Sequence, residues 1–300
     1  MSKKILVTGG SGMVGKSLKK FLPNATYLSS KDCDLTNENE VALLMSRNNF
    51  DVVIHLAAKV GGIIDNIENP DTYFVDNIQM NTNIVKWSRI TGVKRFIGIL
   101  STCIYPNKVE EYPMTEEMLH QGPPTPTNFS YGYAKRCLAV HIDACNEQYG
   151  TKYQYLIPCN LYGENDKFGK NSHFIAALVK KIVKMEEEGS NQLELFGTGN
   201  PLRQFIHSDD LAWVINECLE RGIYENFNVA TEDNLSIKGI AEIALNSCGL
   251  PKTKIIFDST KPDGQYRKDV SIDKLKNLLP DFKTISLSEG IKKVYDKISK

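Results

Sequence analysis

Neither sign of charge is in excess: 36 Lys and Arg stand against 36 Asp and Glu, for a formal net charge of zero. A chain without a bulk positive field has nothing to gather nucleic acid or anionic lipid, so any anion site must be local. The seven cysteines are odd in number and scattered, with no CxxC pair and no Cys/His spacing of the kind that holds zinc. They read as reduced thiols, and no metal is expected. Long apolar runs are missing too. The strongest, near Phe96 to Tyr105, is too short to cross a bilayer, and no signal-like apolar region stands ahead of the run Ile5 to Val7. The expectation is a cytoplasmic protein with no membrane or nucleic-acid partner. Repeats and low-complexity tracts are absent, and the one Pro-rich stretch, Gly122 to Pro126, reads as an ordered loop.

What is present is a globular composition, 41% hydrophobic and 24% charged over 300 residues, enough for a large domain with a smaller lobe. Short β-rich runs at 4–8, 26–29, 51–56, 95–100 and 153–158 alternate with amphipathic segments, among them 14–22, 38–46 and 71–89. That rhythm predicts an α/β fold, a doubly wound parallel sheet of Rossmann type with right-handed helical crossovers. After residue 160 it loosens into a helix over 172–188, a strand at 193–196, further short pieces and a last helix near 287–299. The expected division is a nucleotide-binding domain over 1–160, with some later segments returning to it, and a mainly substrate-binding lobe over 161–300.

The first strand runs into Gly9-Gly-Ser-Gly-Met-Val-Gly15 and then a helix. In this spacing Gly9 permits the turn, Gly12 lets backbone amides approach a pyrophosphate, and Gly15 lets the helix pack close to the sheet; Gly10 and Ser11 belong to the same loop. A dinucleotide site is expected there. NAD selection normally places Asp or Glu at the end of the second strand, whereas here Tyr27-Leu28 leads to Ser29-Ser30-Lys31. Serine hydroxyls and the Lys31 ammonium favour a 2′-phosphate and so NADP(H), although Asp32 follows directly and Lys31 can equally be a solvated loop lysine.

Tyr131 and Lys135 are four apart at the start of a helix, so both side chains face one way, and an ammonium beside a phenol is expected to lower its pKa and ready it as an acid. Tyr133 is the neighbouring decoy, expected to pack or to face solvent. Upstream, the strand over 95–100 ends in Ser101-Thr-Cys-Ile-Tyr-Pro106. If the chain stays extended there, Ser101 and Cys103 point to one side, placing a hydroxyl and a thiol in one cleft; the competing reading of Cys103 is a buried apolar cysteine.

Taken together with His55-Leu-Ala-Ala-Lys-Val-Gly-Gly62, Asn171-Ser-His173, the block from Gly197 to Asp210 and Lys261-Pro-Asp-Gly264, these motifs cover the chain in order and resemble the GDP-L-fucose synthase family, extended short-chain dehydrogenases/reductases. The resemblance implies inversion of C3 and C5 of GDP-4-keto-6-deoxy-D-mannose followed by NADPH-dependent reduction at C4. It implies Cys103 as base and His173 as acid, with Ser101, Tyr131 and Lys135 as the reductive triad. The thiolate is expected to be promoted by the cofactor pocket and Lys135. His173 opens the helix over 172–188, whose positive end disfavours imidazolium; the competing reading is a histidine that caps that helix. Around the cofactor the resemblance places Gly9, Gly10, Ser11, Gly12, Met13, Val14 and Gly15, then Ser30, Lys31, Asp34, Leu35 and Ala57, and finally Lys135, Asn160, Leu161 and His173.

For the sugar nucleotide the resemblance implies Lys181, Phe196, Arg203, Asp263 and Lys268. Arg203 can grip a diphosphate, or instead form a structural ion pair with Asp209 or Asp210. Departures from the family pattern are Phe196 for Trp, Lys181 for Arg, and Cys159 for the Thr usual before Asn160. The family's homodimers imply a four-helix bundle from segments 71–89 and 130–149 of two chains, although the apolar positions there can equally be core. A 4,6-dehydratase would carry an acidic pair where Cys103-Ile104 stands. A nucleotide-sugar 4-epimerase or reductase of another substrate, and a non-catalytic NADP sensor, are the alternatives.

Overall fold

The computed structural model describes residues 3–167, 169, 172–261 and 263–299. Strands β1 (Ile5–Thr8), β2 (Thr26–Leu28), β3 (Val52–His55), β4 (Arg95–Ile99), β5 (Tyr153–Pro158) and β6 (Phe227–Val229) form one sheet in the order β6-β5-β4-β3-β1-β2. Every pairing is parallel. β3, β4 and β5 are buried along their whole length. Covered on both faces, such strands read as near-continuous apolar runs, which is why their positions are visible in the sequence. β6, three residues long and more than 60 residues after β5 in the chain, is the strand no local run announces.

The chain leaves β1 toward β2 on one side and returns to lay β3 on the other. The strand order therefore reverses between β1 and β3, and a crevice opens at their carboxyl ends. Helices α1 (Met13–Leu18), α2 (Glu38–Asn48), α3 (Ile63–Glu68), α4 (Pro70–Ile90) and α5 (Phe129–Tyr149) connect these strands, with α4 and α5 packed on each other. The expected continuation of α1 to Leu22 is not seen. The amides of Lys20 and Phe21 bond three residues back, to Ser17 and Leu18, a tightened last turn ahead of Pro23.

A second apolar core is separate from the sheet's own. It gathers Ile175, Leu178, Val179 and Ile182 of α6 (Phe174–Glu187) with residues that follow α7 (Ser208–Glu220): Ile240 and Ala244 of α8 (Ile237–Ser247) and, beyond α9 (Asp273–Leu278), Ile291 and Val294 of α10 (Leu287–Ile298). The i, i+3, i+4, i+7 spacing of the α6 positions is the stripe a helix presents to a core. A parallel strand pair, Gln192–Phe196 with Lys254–Asp258, completes this lobe. α7 returns its apolar face, including Leu211, Ile215 and Cys218, to the first core, as does β6. All seven cysteines are free thiols.

Asp210, in the first turn of α7, is buried and receives the Ile285 amide on both carboxylate oxygens at 3.2 Å. Burial dominates and pushes its carboxyl up to about 7, against the Ile285 and His207 backbone donors and Lys293, with Asp209 adding to the rise. The folded chain thus holds this proton more tightly than the unfolded chain, whose carboxyl titrates near ~4. The stability it contributes is complete below that value and is lost as pH rises through about 7. Urea unfolding from about pH 5 to about pH 8 should show wild type losing stability relative to Asp210→Asn as pH rises; a difference constant across that span contradicts the assignment.

Candidate active site

Gly9 follows β1 with φ at +69°, and its Cα lies so close to the chain after β3 that a Cβ would stand 2.8 Å from the Ala57 nitrogen. Only glycine meets both demands. Gly12 is the N-cap of α1 and offers no side chain to obstruct a ligand. The close packing required at Gly15 is against the Gly10 backbone, 2.6 Å from where its Cβ would be, and not against the sheet as expected. Gly10 itself is pressed onto β2, its amide donating to the Leu28 carbonyl at 2.7 Å, so it supports the loop from behind. Gly9, Ser11, Gly12, Met13, Val14 and Gly15 then form one wall of a cleft of about 870 Å³, with Ala57 on the facing segment.

At the end of β2 the wall continues through Ser29, Ser30, Asp34 and Leu35. Asp32 does not join it. Its Oδ2 accepts both the Ser29 amide at 2.8 Å and the Ser29 hydroxyl at 2.6 Å, turning the carboxylate onto its own loop. The acid that weakened the NADP(H) expectation is thereby occupied, Asp34 on the wall is turned onto the Thr36 amide and hydroxyl, and the Cβ-free cradle with Ser29 and Ser30 beside it fits a dinucleotide carrying a 2′-phosphate. Lys31 is exposed and lies off the cleft wall, contrary to expectation; it follows the serines at the solvent side of the loop.

Tyr131 and Lys135 both face the cleft from α5, as their spacing requires, and Ser101 joins them from beyond β4. The expected electrical partnership is different. Lys135 is buried and its Nζ donates to the Ile99 carbonyl at 2.7 Å, at the very end of β4. Burial lowers it to about 8, with Cys103 acting in the opposite direction. The Tyr131 phenol is raised well above its ordinary value by burial, then by Cys103 and Tyr73, and is not lowered by the lysine. The Tyr73 ring stands edge-on to it at 6.3 Å. Tyr133 packs on Phe129 at 4.7 Å, away from the cleft, as expected of the decoy.

The chain does not stay extended after β4. Ser101 is extended, but Thr102–Ile104 form a single 3₁₀ turn, so alternation cannot place Cys103. The turn does so instead: the Cys103 amide reaches the Ser101 hydroxyl at 3.5 Å, and Arg136 fastens the far side through Ile104 and Gly122, Nε to the Ile104 carbonyl at 3.0 Å and Nη1 to that of Gly122 at 2.9 Å. Cys103 is 4% exposed and sits behind the cleft wall. Burial pushes its thiol up; of the groups that pull it down Lys268 acts most, followed by the Ser101 hydroxyl and then Lys135. The ammonium that matters most for this thiol is therefore the residue expected to hold substrate.

His173 occupies the N-cap position of α6 yet makes no side-chain cap bond. Its Nδ1 lies 2.8 Å from Oδ1 of Asp166, whose side chain is almost wholly buried. The capping account is thus excluded, and the carboxylate partner is the residue that sequence reading missed. Asn160, Leu161, Asp166 and His173 all line the cleft, as does Cys159. Asn171 and Pro262, members of two of the motifs, lie outside the described residues.

Lys181, Phe196, Arg203, Asp263 and Lys268 do not line the main cleft. Lys268 is electrostatically coupled to Cys103 and Arg203, and Arg203 to Asp263. Asp263 accepts the Thr198 amide and hydroxyl at 2.6 and 2.7 Å, anchoring the turn after Phe196. Lys181 stands 4.7 Å over the ring of Phe196, which is 59% exposed. Arg203 donates to the Leu202 carbonyl, while Asp209 pairs with Lys20, so the alternative ion pair with Asp209 or Asp210 is not what holds it.

A model of the NAD dependent epimerase/dehydratase family matches residues 5–230. The chain belongs to that family. As a family member it is 38% identical to the GDP-L-fucose synthase of Dictyostelium discoideum, across 97% of the chain and 93% of that protein. It is 36% identical to the probable GDP-L-fucose synthase of Drosophila melanogaster, across 96% and 95%. The crystal structure of a GDP-L-fucose synthetase from Naegleria fowleri bound to NADP matches with a TM-score of 0.90 at 34% identity, covering 99% of this chain and 92% of that one. Within the epimerase/dehydratase family these likenesses place the chain in the GDP-L-fucose synthase branch.

Proposed function

We propose that the protein converts GDP-4-keto-6-deoxy-D-mannose to GDP-L-fucose, inverting C3 and C5 and then reducing the C4 ketone with NADPH. The relatives' names support this reading. The observation that carries it is the joining of two kinds of chemistry at one cleft: Ser101, Tyr131 and Lys135 on its wall, a thiol behind Ser101, and a histidine paired with a buried carboxylate on the same wall.

A ketone at C4 acidifies the hydrogens on C3 and C5, so each centre inverts when a base removes its proton and an acid returns one to the opposite face. Cys103 is the base and His173 the acid. The Lys268 and Lys135 ammonium groups and the Ser101 hydroxyl oppose the burial that keeps the thiol protonated. Bound in the cleft, NADPH supplies the hydride that C4 receives. Tyr131 gives its proton to the C4 oxygen, Ser101 bonds the same oxygen, and Lys135 holds the cofactor ribose while its charge steadies the developing alkoxide. The glycine loop, Ser30, Asp34, Leu35, Ala57, Asn160 and Leu161 bind the cofactor in the sheet's crevice. Lys181, Arg203 and Lys268 present positive charge to the sugar nucleotide and Phe196 one aromatic face, with the Asp263 carboxylate beside Arg203. The division of labour follows the two cores, cofactor on the first and substrate on the second.

Among the described residues no helix is long and apolar enough to cross a membrane. The protein works in the cytoplasm, as a homodimer in which the partner covers the exposed apolar side chains Phe74, Val75 and Ile90 of α4 and Phe129, Val140 and Tyr149 of α5.

Purified protein supplied with GDP-4-keto-6-deoxy-D-mannose and NADPH should consume NADPH and release GDP-L-fucose, identified by NMR. Protein that binds NADPH but leaves both compounds unchanged overturns the reading.

A further inference from the structure

Asp166 lines the cleft close to His173 and is held in an unusual way. Its side chain is 3% exposed. Oδ1 accepts both the Lys167 amide at 2.7 Å and the ring of His173 at 2.8 Å, while Oδ2 is buried without a hydrogen-bond partner among the described residues. A carboxylate left half satisfied away from water costs stability, and a fold keeps one only where something else depends on it. What depends on it here is a histidine on the cleft wall whose own side chain is 43% exposed.

We propose that Asp166 is the positioning residue of the His173 acid, fixing Nδ1 as the anchored nitrogen and Nε2 as the one that trades protons with the sugar. This rests on the function proposed above. With Nδ1–H donated to Asp166, the ring is fixed in one tautomer and one orientation. In each inversion the Nε2–H bond breaks, its electron pair stays on the ring and the proton forms the new C–H bond. Cys103 meanwhile holds the proton taken from the opposite face. The imidazole left behind is neutral and still anchored through Nδ1–H, so only Nε2 has to be recharged. The exposed ring can take that proton from water, and the thiol's proton has to leave before the second centre is inverted.

The full-length protein, with its five histidines labelled by ¹⁵N in the ring, reports the tautomer directly; His173→Gln identifies the His173 signals by their disappearance. The wild-type neutral ring should carry its proton on Nδ1, and Asp166→Ala should release it to the Nε2–H form that an unconstrained histidine side chain prefers. In D₂O with NADP⁺ present, deuterium entry at C3 and C5 of GDP-4-keto-6-deoxy-D-mannose should slow by about 100-fold in Asp166→Ala. Asp166→Asn, which keeps an acceptor without the charge, should hold the wild-type tautomer and slow exchange by roughly tenfold. An unchanged tautomer in Asp166→Ala overturns the proposal, whatever happens to the rate, because the loss is then structural. Wild-type exchange rates in Asp166→Asn overturn it as well, and this second variant decides the matter should Asp166→Ala not fold. Absence of exchange in the wild type counts against the proposed function, while the tautomer comparison still judges Asp166.

Discussion

Cys103→Ser is expected to stop both inversions while leaving ketone reduction in place, so that the product is an unepimerised GDP-6-deoxyhexose. The two side chains occupy nearly the same space, and the turn that carries residue 103 is held from outside by Arg136 and Ser101, so the fold has no reason to change. What changes is acidity. The thiol is already raised by burial and is brought back toward use by Lys268, Ser101 and Lys135. An alcohol at the same point begins several units higher and the same neighbours cannot recover it. Loss of a positioned base is worth about 10²–10⁴-fold. Deuterium entry at C3 and C5 is the direct measure, and exchange in Cys103→Ser within a few-fold of wild type would remove Cys103 from the chemistry.

How much of this is visible in the sequence depends on the range over which each feature is determined. β1, β3, β4 and β5 are continuous apolar runs because both faces are covered, and Gly9 is needed for a local backbone reason, so both show in a short window. β6 does not, since three residues join the sheet only by pairing with β5 from far along the chain. Tyr131 and Lys135 are correctly placed by helix spacing. Their electrostatics are not, because Lys135 bonds the end of β4 and the surroundings of Tyr131 come from α4 and the turn after β4. The same holds for Lys268 beside Cys103, 165 positions later in the chain, and for Asp166 beside His173, where no periodic element links the two. The departure from alternation at Cys103 has a narrower cause: a serine that accepts the amide two residues on favours a tight turn over an extended strand end.

Tyr131→Phe is expected to reverse the phenotype of Cys103→Ser, losing reduction by about 10²–10⁴-fold while C3 and C5 continue to exchange. The phenol is held well above its ordinary value by burial, Cys103 and Tyr73, so it carries its proton at every working pH and can act only as a donor. Its two partners in the triad are poorer donors. Ser101 is a far weaker acid, and Lys135 has its ammonium on the Ile99 carbonyl. Lys135 sets the pH range in which that donation succeeds. It is charged below about 8 and loses its proton above it, and with the charge goes the stabilisation of the alkoxide forming at C4. In wild type, reduction measured by NADPH consumption should therefore fall as pH rises through about 8. Phenylalanine at 131 leaves the ring and its edge contact with Tyr73 in place and removes one proton. If NADPH consumption survives that change, the proton on the C4 oxygen comes from elsewhere, and the separation of the cleft into an inverting and a reducing half no longer holds.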